Sequence, residues 1–428
     1  MKSFSLKGDN GKLYYGWVIV LVAAIITGFV YSAIVSVTGI FMLPVTGELG
    51  LSVAKYSLYL TIMSIAGIIT QVIIPKYYNE KTIKKIMAIA GIFGIISFIG
   101  FAYAKSLMLF YIFAVPQGFC FAAMTMTPCQ LLVSNWFGEK AKGRAMSFFL
   151  TGMTLVYLLE FNILTPIVVK MGWRAGYWFL AICVALGIIA VLTLIKWSPE
   201  TAGVKRMGEL DDSELSEMRL GLSKGIDFSI AIKKPLTWAL LLSCALAVIA
   251  SSSILQHGIP TMIIGGYTPE KATAIISALS TIMLVTGPII GILCDKLPLK
   301  VATVGSALCF AGSCVGLSIM ATSMNIGVIV YGALYIFGVA SINIISPLVM
   351  SYMYGEKDMP RLFGYINMAI GIGGAFGAAG MGFMFEKFGS YQAPWLIMGG
   401  ILLLVAVIRA FCTAKKNKFQ EAEVEASK

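Results

Sequence analysis

Few residues of this chain can do chemistry, and most of those lie inside long apolar runs. Glu160 is the only acid well within such a run, with Tyr157 and Asn162 close in sequence. His257 is the only histidine, flanked by Gln256, Gly258 and Pro260. Ionisable groups are costly in an apolar segment and are functional candidates for that reason. A carboxyl there can carry a coupling proton or meet a substrate cation, and an imidazole titrates near neutrality. The plainer readings are a carboxylate paired near the membrane surface and a histidine that is only a satisfied polar group. Tyr31, Gln117, Asn162 and Asn343 are neutral groups able to orient a solute, with Gln130 and Ser341 behind them. No catalytic set accompanies them. There is one histidine, no nucleophile motif and no nucleotide loop. The eight cysteines lack metal-ligand spacing and read as small buried hydrophobes without disulfides. No enzyme activity, metal or cofactor is expected.

The elements that position these residues are membrane-length. The chain is 58% hydrophobic and 12% charged, against about 25% charged in an ordinary globular protein. Apolar runs of about 20 residues, enough to cross a bilayer as helices, recur from end to end. They predict spans at Tyr15–Leu43, Ser57–Pro75, Ile86–Ala104, Leu107–Ser134, Ala145–Val169 and Gly176–Trp197. A second set follows at Thr237–Ile264, Ala272–Cys294, Val301–Met320, Ile326–Tyr354, Leu362–Phe385 and Ala393–Phe411. The expected fold is an all-α membrane protein of twelve transmembrane helices in two six-helix pseudo-repeats. Its parts are an N-terminal bundle (1–197), a cytoplasmic linker (198–235), a C-terminal bundle (236–412) and a charged tail (413–428). The linker, rich in charge of both signs, reads as a tether with a possible short amphipathic helix. The first run is too long for a signal peptide and no small-residue cleavage site ends it.

The net charge of +12 is a topology signal rather than a sign of nucleic acid. Lys55, Lys105, Lys170, Arg174, Lys271 and Lys387 fall on one side of the predicted spans. The remaining 26 of the 32 basic residues, including those at the end of the last span, fall on the other. Both termini are therefore expected in the cytoplasm, with membrane lipids as contacts. Glu160 lies 16 residues past Arg144, about 24 Å along a helix, which places it in the outer half of its span.

The chain also repeats itself. Gly138-Glu139-Lys140 with Arg144 returns 217 residues later as Gly355-Glu356-Lys357 with Arg361, and the same shift carries Gly172 onto Gly389 and Trp178 onto Trp395. A shift of 216 carries Ile73 through Lys84 onto Ile289 through Lys300. A doubled membrane unit implies a pathway between its halves. Glu139, Arg144, Glu356 and Arg361 then sit at cytoplasmic helix ends as candidate gating charges.

Gly291-Ile-Leu-Cys-Asp295-Lys296 with Lys300 resembles the cytoplasmic loop motif of the major facilitator superfamily between spans 8 and 9, and the resemblance extends over the whole chain. In the first-half copy, Pro75 and Asn79 replace the glycine and the acid. Tyr15-Gly16-Trp17, Asn135-Trp136-Phe137-Gly138, Lys142-Gly143-Arg144-Ala145 and Gly172-Trp173-Arg174 are similar to the monocarboxylate and oxalate:formate branch. The resemblance implies a secondary transporter working by alternating access, with Asp295 and Lys296 in the cytoplasmic gate. Spans 4 and 10 would border the pathway, which favours Gln117 and Asn343. The branch holds its anion with a cation in span 8 or 11, and neither span carries one here. A proton-coupled carrier of an organic monocarboxylate in the cell membrane, acting as a monomer, is the first expectation; an exporter of neutral or cationic hydrophobic compounds is the alternative. Protons or a counter-anion are the expected coupling partners. A membrane enzyme or a channel finds no supporting residues.

Overall fold

A computed structural model describes residues 14–200, 204–208, 225–339, 342, 345–355 and 358–414; at 139, 284–296, 347, 360 and 414 the backbone alone is described. The described backbone is helical, as a chain in hydrocarbon must be when every peptide group has to find a partner inside the protein. The helices are α1 (Tyr15–Tyr31), α2 (Thr38–Leu49), α3 (Val53–Ile73), α4 (Ile83–Ala102), α5 (Leu107–Met124), α6 (Met126–Trp136), α7 (Glu139–Met171) and α8 (Trp173–Leu194). They continue as α9 (Phe228–Ala231), α10 (Pro235–Ile264), α11 (Pro269–Lys296), α12 (Leu299–Ile319), α13 (Met324–Gly338), α14 (Ile345–Tyr354), α15 (Met359–Phe388) and α16 (Gln392–Ala414). Among the described residues, ten helical stretches are long and apolar enough to cross a membrane. Many carry outward-facing Leu, Ile and Phe, such as Leu159 at 62% exposure and Leu186 at 57%, the surface that lipid rather than water would cover.

Two predicted spans are broken at fully described residues. The first ends α1 in a π-helical turn, Ser32–Ser36, before α2 resumes. The fourth breaks at Thr125, whose φ of −104° and ψ of −123° separate α5 from α6. Pro128 lies three residues beyond the break, and a proline's missing N–H weakens the hydrogen-bond ladder. The Thr125 hydroxyl donates to the Phe121 carbonyl at 2.5 Å.

The chain forms two compact units, Met1–Leu51 with Ile62–Glu214, and Ser52–Thr61 with Leu215–Lys428. In the first, α1 packs on α7, and α4 packs on α5 and α8. In the second, α10 packs on α15, and α12 packs on α13 and α16. The pairing pattern is the same. Small residues allow the close approaches, since no water drives helices together in lipid. A Cβ on Gly94 would lie 2.5 Å from Cys120 Sγ, and one on Gly316 would lie 2.4 Å from the Tyr331 backbone nitrogen.

Residues 52–61 are held in the second unit by polar contacts. The Glu386 carboxylate accepts from the Ala54 N–H at 2.8 Å and from the Ser52 hydroxyl, and Thr61 Oγ1 donates to the Ala375 carbonyl at 2.5 Å. The described ends of the linker are likewise anchored rather than free. In the first unit Gly138 N–H donates to the Met207 carbonyl at 2.8 Å and Lys140 N–H to the Gly208 carbonyl at 3.1 Å. In the second, Ile226 N–H donates to the Tyr354 carbonyl at 2.8 Å, beside a bridge between Gly225 and Gly355. The two docking loops, at 137–138 and 354–355, are the repeat-related pair.

Candidate functional site

The first unit contains a register that places one acid. Ala24, Gly28 and Ser32 follow one another at four-residue spacing on the α1 chain, and Gly152, Val156 and Glu160 do so on α7. A Cβ on Gly152 would lie 2.9 Å from Ala24 Cβ, and one on Gly28 would lie 2.5 Å from Val156 Cβ. The next step up both helices brings Ser32 beside Glu160. Residues four apart on a helix share a face, so two small-residue contacts fix the third pair.

Glu160 is fully buried, and neither carboxyl oxygen has a hydrogen-bond partner among the described residues. Ser32 is fully buried, and its hydroxyl is equally unpartnered. It opens the π-helical turn, in which Val37 N–H bonds the Ser32 carbonyl five residues back at 3.1 Å. π turns are rare and concentrate at functional sites. Cys183 of α8 is the titratable neighbour of Glu160. No lysine, arginine or histidine pairs with the acid among the described residues.

The other candidates of this unit divide. Gln117, on α5 directly after Pro116, is buried with its side-chain carbonyl oxygen unpartnered. Tyr31 lies against Phe121, one helical turn beyond Gln117, with ring centroids 5.7 Å apart. Asn162 is exposed, and its amide donates to the Leu158 carbonyl at 2.7 Å. Two residues from Glu160, it points to another face of α7. Thr27 of α1 adds a second buried hydroxyl, beside Cys129 of α6.

In the second unit His257 is a packing node. Its Nε2 lies 2.8 Å from the Ala378 carbonyl and its Nδ1 2.8 Å from the Tyr391 hydroxyl. A carbonyl can only accept, so Nε2 carries the hydrogen and Nδ1 accepts from Tyr391. Thr261 Oγ1 bonds the His257 carbonyl at 2.6 Å and accepts from Trp395 Nε1 at 3.1 Å. Both ring nitrogens are thus in use. Asn343 and Glu356 lie outside the described residues, as do the side chains of Glu139, Asp295 and Lys296; the last two close α11. Arg144 and Arg361 are exposed near the starts of α7 and α15. Ser341 also lies outside the described residues.

One charge escaped the sequence reading. Arg409, counted above with the cytoplasmic residues at the end of the last span, is fully buried in α16. Its Nη2 donates to Ser346 Oγ at 3.1 Å and its Nε to Ser243 Oγ at 3.3 Å. Only three-dimensional packing reveals it, because its neighbours Ser243 and Ser346 are 166 and 63 residues away.

The profile of the Major Facilitator Superfamily matches residues 23–357, more than half of the chain. The chain belongs to the major facilitator superfamily. It is a multi-pass membrane protein. Solved facilitators share the fold across nearly the whole chain. A bacterial homologue of the human lysosomal transporter Spinster superposes with a TM-score of 0.74 at 15% identity, covering 94% of this chain and 98% of its own. A D-xylose–proton symporter does so with 0.70 at 15% identity, covering 92% and 97%. At these identities the likeness is one of fold. The "Probable L-galactonate transporter" of Escherichia coli (strain K12) is 24% identical over 156 residues, 36% of this chain and a third of that relative's length.

This facilitator also carries an ion pair between the end of α2 and the first residues of α8. Glu48 of α2 accepts from Trp173 Nε1 at 2.6 Å and pairs with Arg174, whose guanidinium lies 4.1 Å over the Trp173 ring. Hydrogen bonds from Arg174 and then Trp173 hold the Glu48 carboxyl below the usual carboxylate range.

Proposed function

We propose that this facilitator is a proton-coupled carrier of organic monocarboxylates, operating by alternating access. Taking α11 and the α13–α14 pair as spans beside the ten apolar stretches supports a count of twelve in two repeats. The basic-residue asymmetry supports a cytoplasmic location for both termini. The monocarboxylate and oxalate:formate resemblance, carried by the motifs at Tyr15, Asn135 and Gly172, supports the substrate class. So does the match to a transporter named for galactonate, itself a hydroxylated monocarboxylate.

The observation that carries the coupling is Glu160. A bare carboxylate in an apolar bundle is very expensive without a partner. No cation reaches this one among the described residues, so a proton is what makes its burial tolerable. Loading and release of that proton then link solute movement to the proton gradient. His257, with both nitrogens engaged, serves the packing of α10 against α15 rather than coupling. Gln117 and Tyr31 orient the solute, Gln117 through an oxygen that suits a hydroxyl or a protonated acid. Asn343 is assigned with them from the resemblance, and Asn162 joins only by leaving its bond to Leu158. Asp295 and Lys296, with the Glu139/Arg144 and Glu356/Arg361 clusters, form the cytoplasmic gate.

In proteoliposomes, wild-type protein should accumulate labelled galactonate or an aromatic monocarboxylate when an inward proton gradient is imposed. Glu160→Gln should lose that accumulation and keep solute exchange at equal pH. Normal gradient-driven accumulation by Glu160→Gln would remove the coupling role. The unpartnered acid also suits a cationic solute, the exporter reading. Binding of amines but no acids, abolished by Glu160→Gln, would select it.

A further inference from the structure

The two units offer an internal comparison of the same helix crossing. In the first, residue pairs 24/152, 28/156 and 32/160 meet, each 128 apart. In the second, Gly373 and Gly377 of α15 press on the backbone carbonyls of Ala245 and Ile249 of α10; a Cβ would lie 2.4 and 2.5 Å from those oxygens. These pairs are again 128 apart, and the 217-residue repeat carries 28/156 onto 245/373 and 32/160 onto 249/377. The repeat-related mate of Glu160 is therefore Gly377, and that of Ser32 is Ile249. At the 249/377 step the second unit closes on a glycine against a backbone carbonyl, so the crossing does not require an acid and a hydroxyl at that step.

We propose that Ser32 is the positioning residue for Glu160: its hydroxyl, presented by the π-helical turn, holds the Glu160 carboxyl through the change of protonation that couples transport. The proposal rests on the reading of Glu160 as the proton carrier and adds the partner that reading lacks. Both groups are buried and adjacent, and no third group partners either side chain among the described residues. A hydroxyl both donates and accepts, so it can bond a protonated carboxyl or a charged one. The π turn supplies the freedom. Its extra residue is accommodated between Ser32 and Val37, and tightening to α geometry would swing the hydroxyl about the helix axis, while Gly28 below stays wedged on Val156. From the elements packed on α7, the groups facing the acid are Ser32 of the π turn and Cys183 of α8. None comes from α2 or α6 among the described residues.

The test compares Ser32→Ala and Ser32→Thr in reconstituted full-length protein, with galactonate or the best acid found above. Ser32→Ala should slow gradient-driven net uptake about tenfold and leave exchange at equal pH within twofold. Ser32→Thr, which keeps the hydroxyl, should restore most net uptake. The infrared carboxyl band that disappears in Glu160→Gln should shift in Ser32→Ala. In the Glu160→Gln background, Ser32→Ala should add no further loss of exchange. Unchanged net uptake and an unmoved band in Ser32→Ala would overturn the proposal. Equal loss of net uptake and exchange in both Ser32 variants would also overturn it, assigning Ser32 to packing. If Glu160→Gln itself keeps gradient-driven uptake, the coupling reading fails first, and the band comparison alone then decides whether the two side chains bond.

Discussion

A buried polar atom without a partner and one with every partner make opposite predictions. His257 is of the second kind. Tyr391→Phe keeps the ring stacked on Phe385, now with centroids 4.3 Å apart, but leaves His257 Nδ1 without its donor. A loss of about 1–3 kcal/mol in stability is expected, read as a lower melting temperature with proton coupling intact. An unchanged melting temperature would show that the His257–Tyr391 bond does not support the fold. Glu48 gives a pH prediction. Its folded-state pKa lies below the ordinary 4.5, so its ion pair stabilises the protein above that pH and is lost as pH falls through the lower folded value. Because the group is exposed, the effect is small. Glu48→Gln should melt lower than wild type at neutral pH, and the gap should close in acid. Glu160 and His257 were legible as candidates from residue type alone. Their difference in partners was not, since Tyr391 lies 134 residues from His257 and Ser32 lies 128 from Glu160.

At the scale of elements, the glycines of α15 divide by what stands opposite them. Gly377 meets the Ile249 carbonyl, whereas a Cβ on Gly380 would meet open space. Gly377→Val should therefore separate α10 from α15 and abolish the folded, monodisperse protein, and Gly380→Ala should leave melting and transport unchanged. A fluorescence-detected size-exclusion profile with a melting curve distinguishes the two. Equal tolerance at both positions would contradict the packing described. Ser252, Ser253 and His257 add bonds from α10 to the carbonyls of Gly374, Gly377 and Ala378, so this crossing is fastened rather than slippery. Apolar length revealed where most helices lie. It did not reveal the π turn after Tyr31 or the break at Thr125, because hydropathy is continuous across both and the irregularity resides in backbone hydrogen bonding.

At the scale of the molecule, duplication was the most legible property. The 217-residue echo at Gly138 and Gly355 identifies loops that the described linker ends both bind through backbone bridges, a parallel one at Met207 and an antiparallel one at Gly225. The linker reads from sequence as a tether; its described ends are anchored strands of contact, which composition cannot signal. Arg409 shows the converse limit: position near a helix end implied a cytoplasmic charge, and packing buries it. Divergence between the repeats is where function enters. Glycine and isoleucine at 377 and 249 close one crossing, while glutamate and serine at 160 and 32 leave unsatisfied polar atoms in the other. The central claim is that solute and proton move together through Glu160. The direct measurement is the internal pH of proteoliposomes, followed with a trapped dye after external galactonate or another monocarboxylate is added without an imposed gradient. The account predicts solute-dependent internal acidification in wild type and none in Glu160→Gln. Acidification of equal size in both proteins, or solute entry in wild type with no pH change, would contradict it.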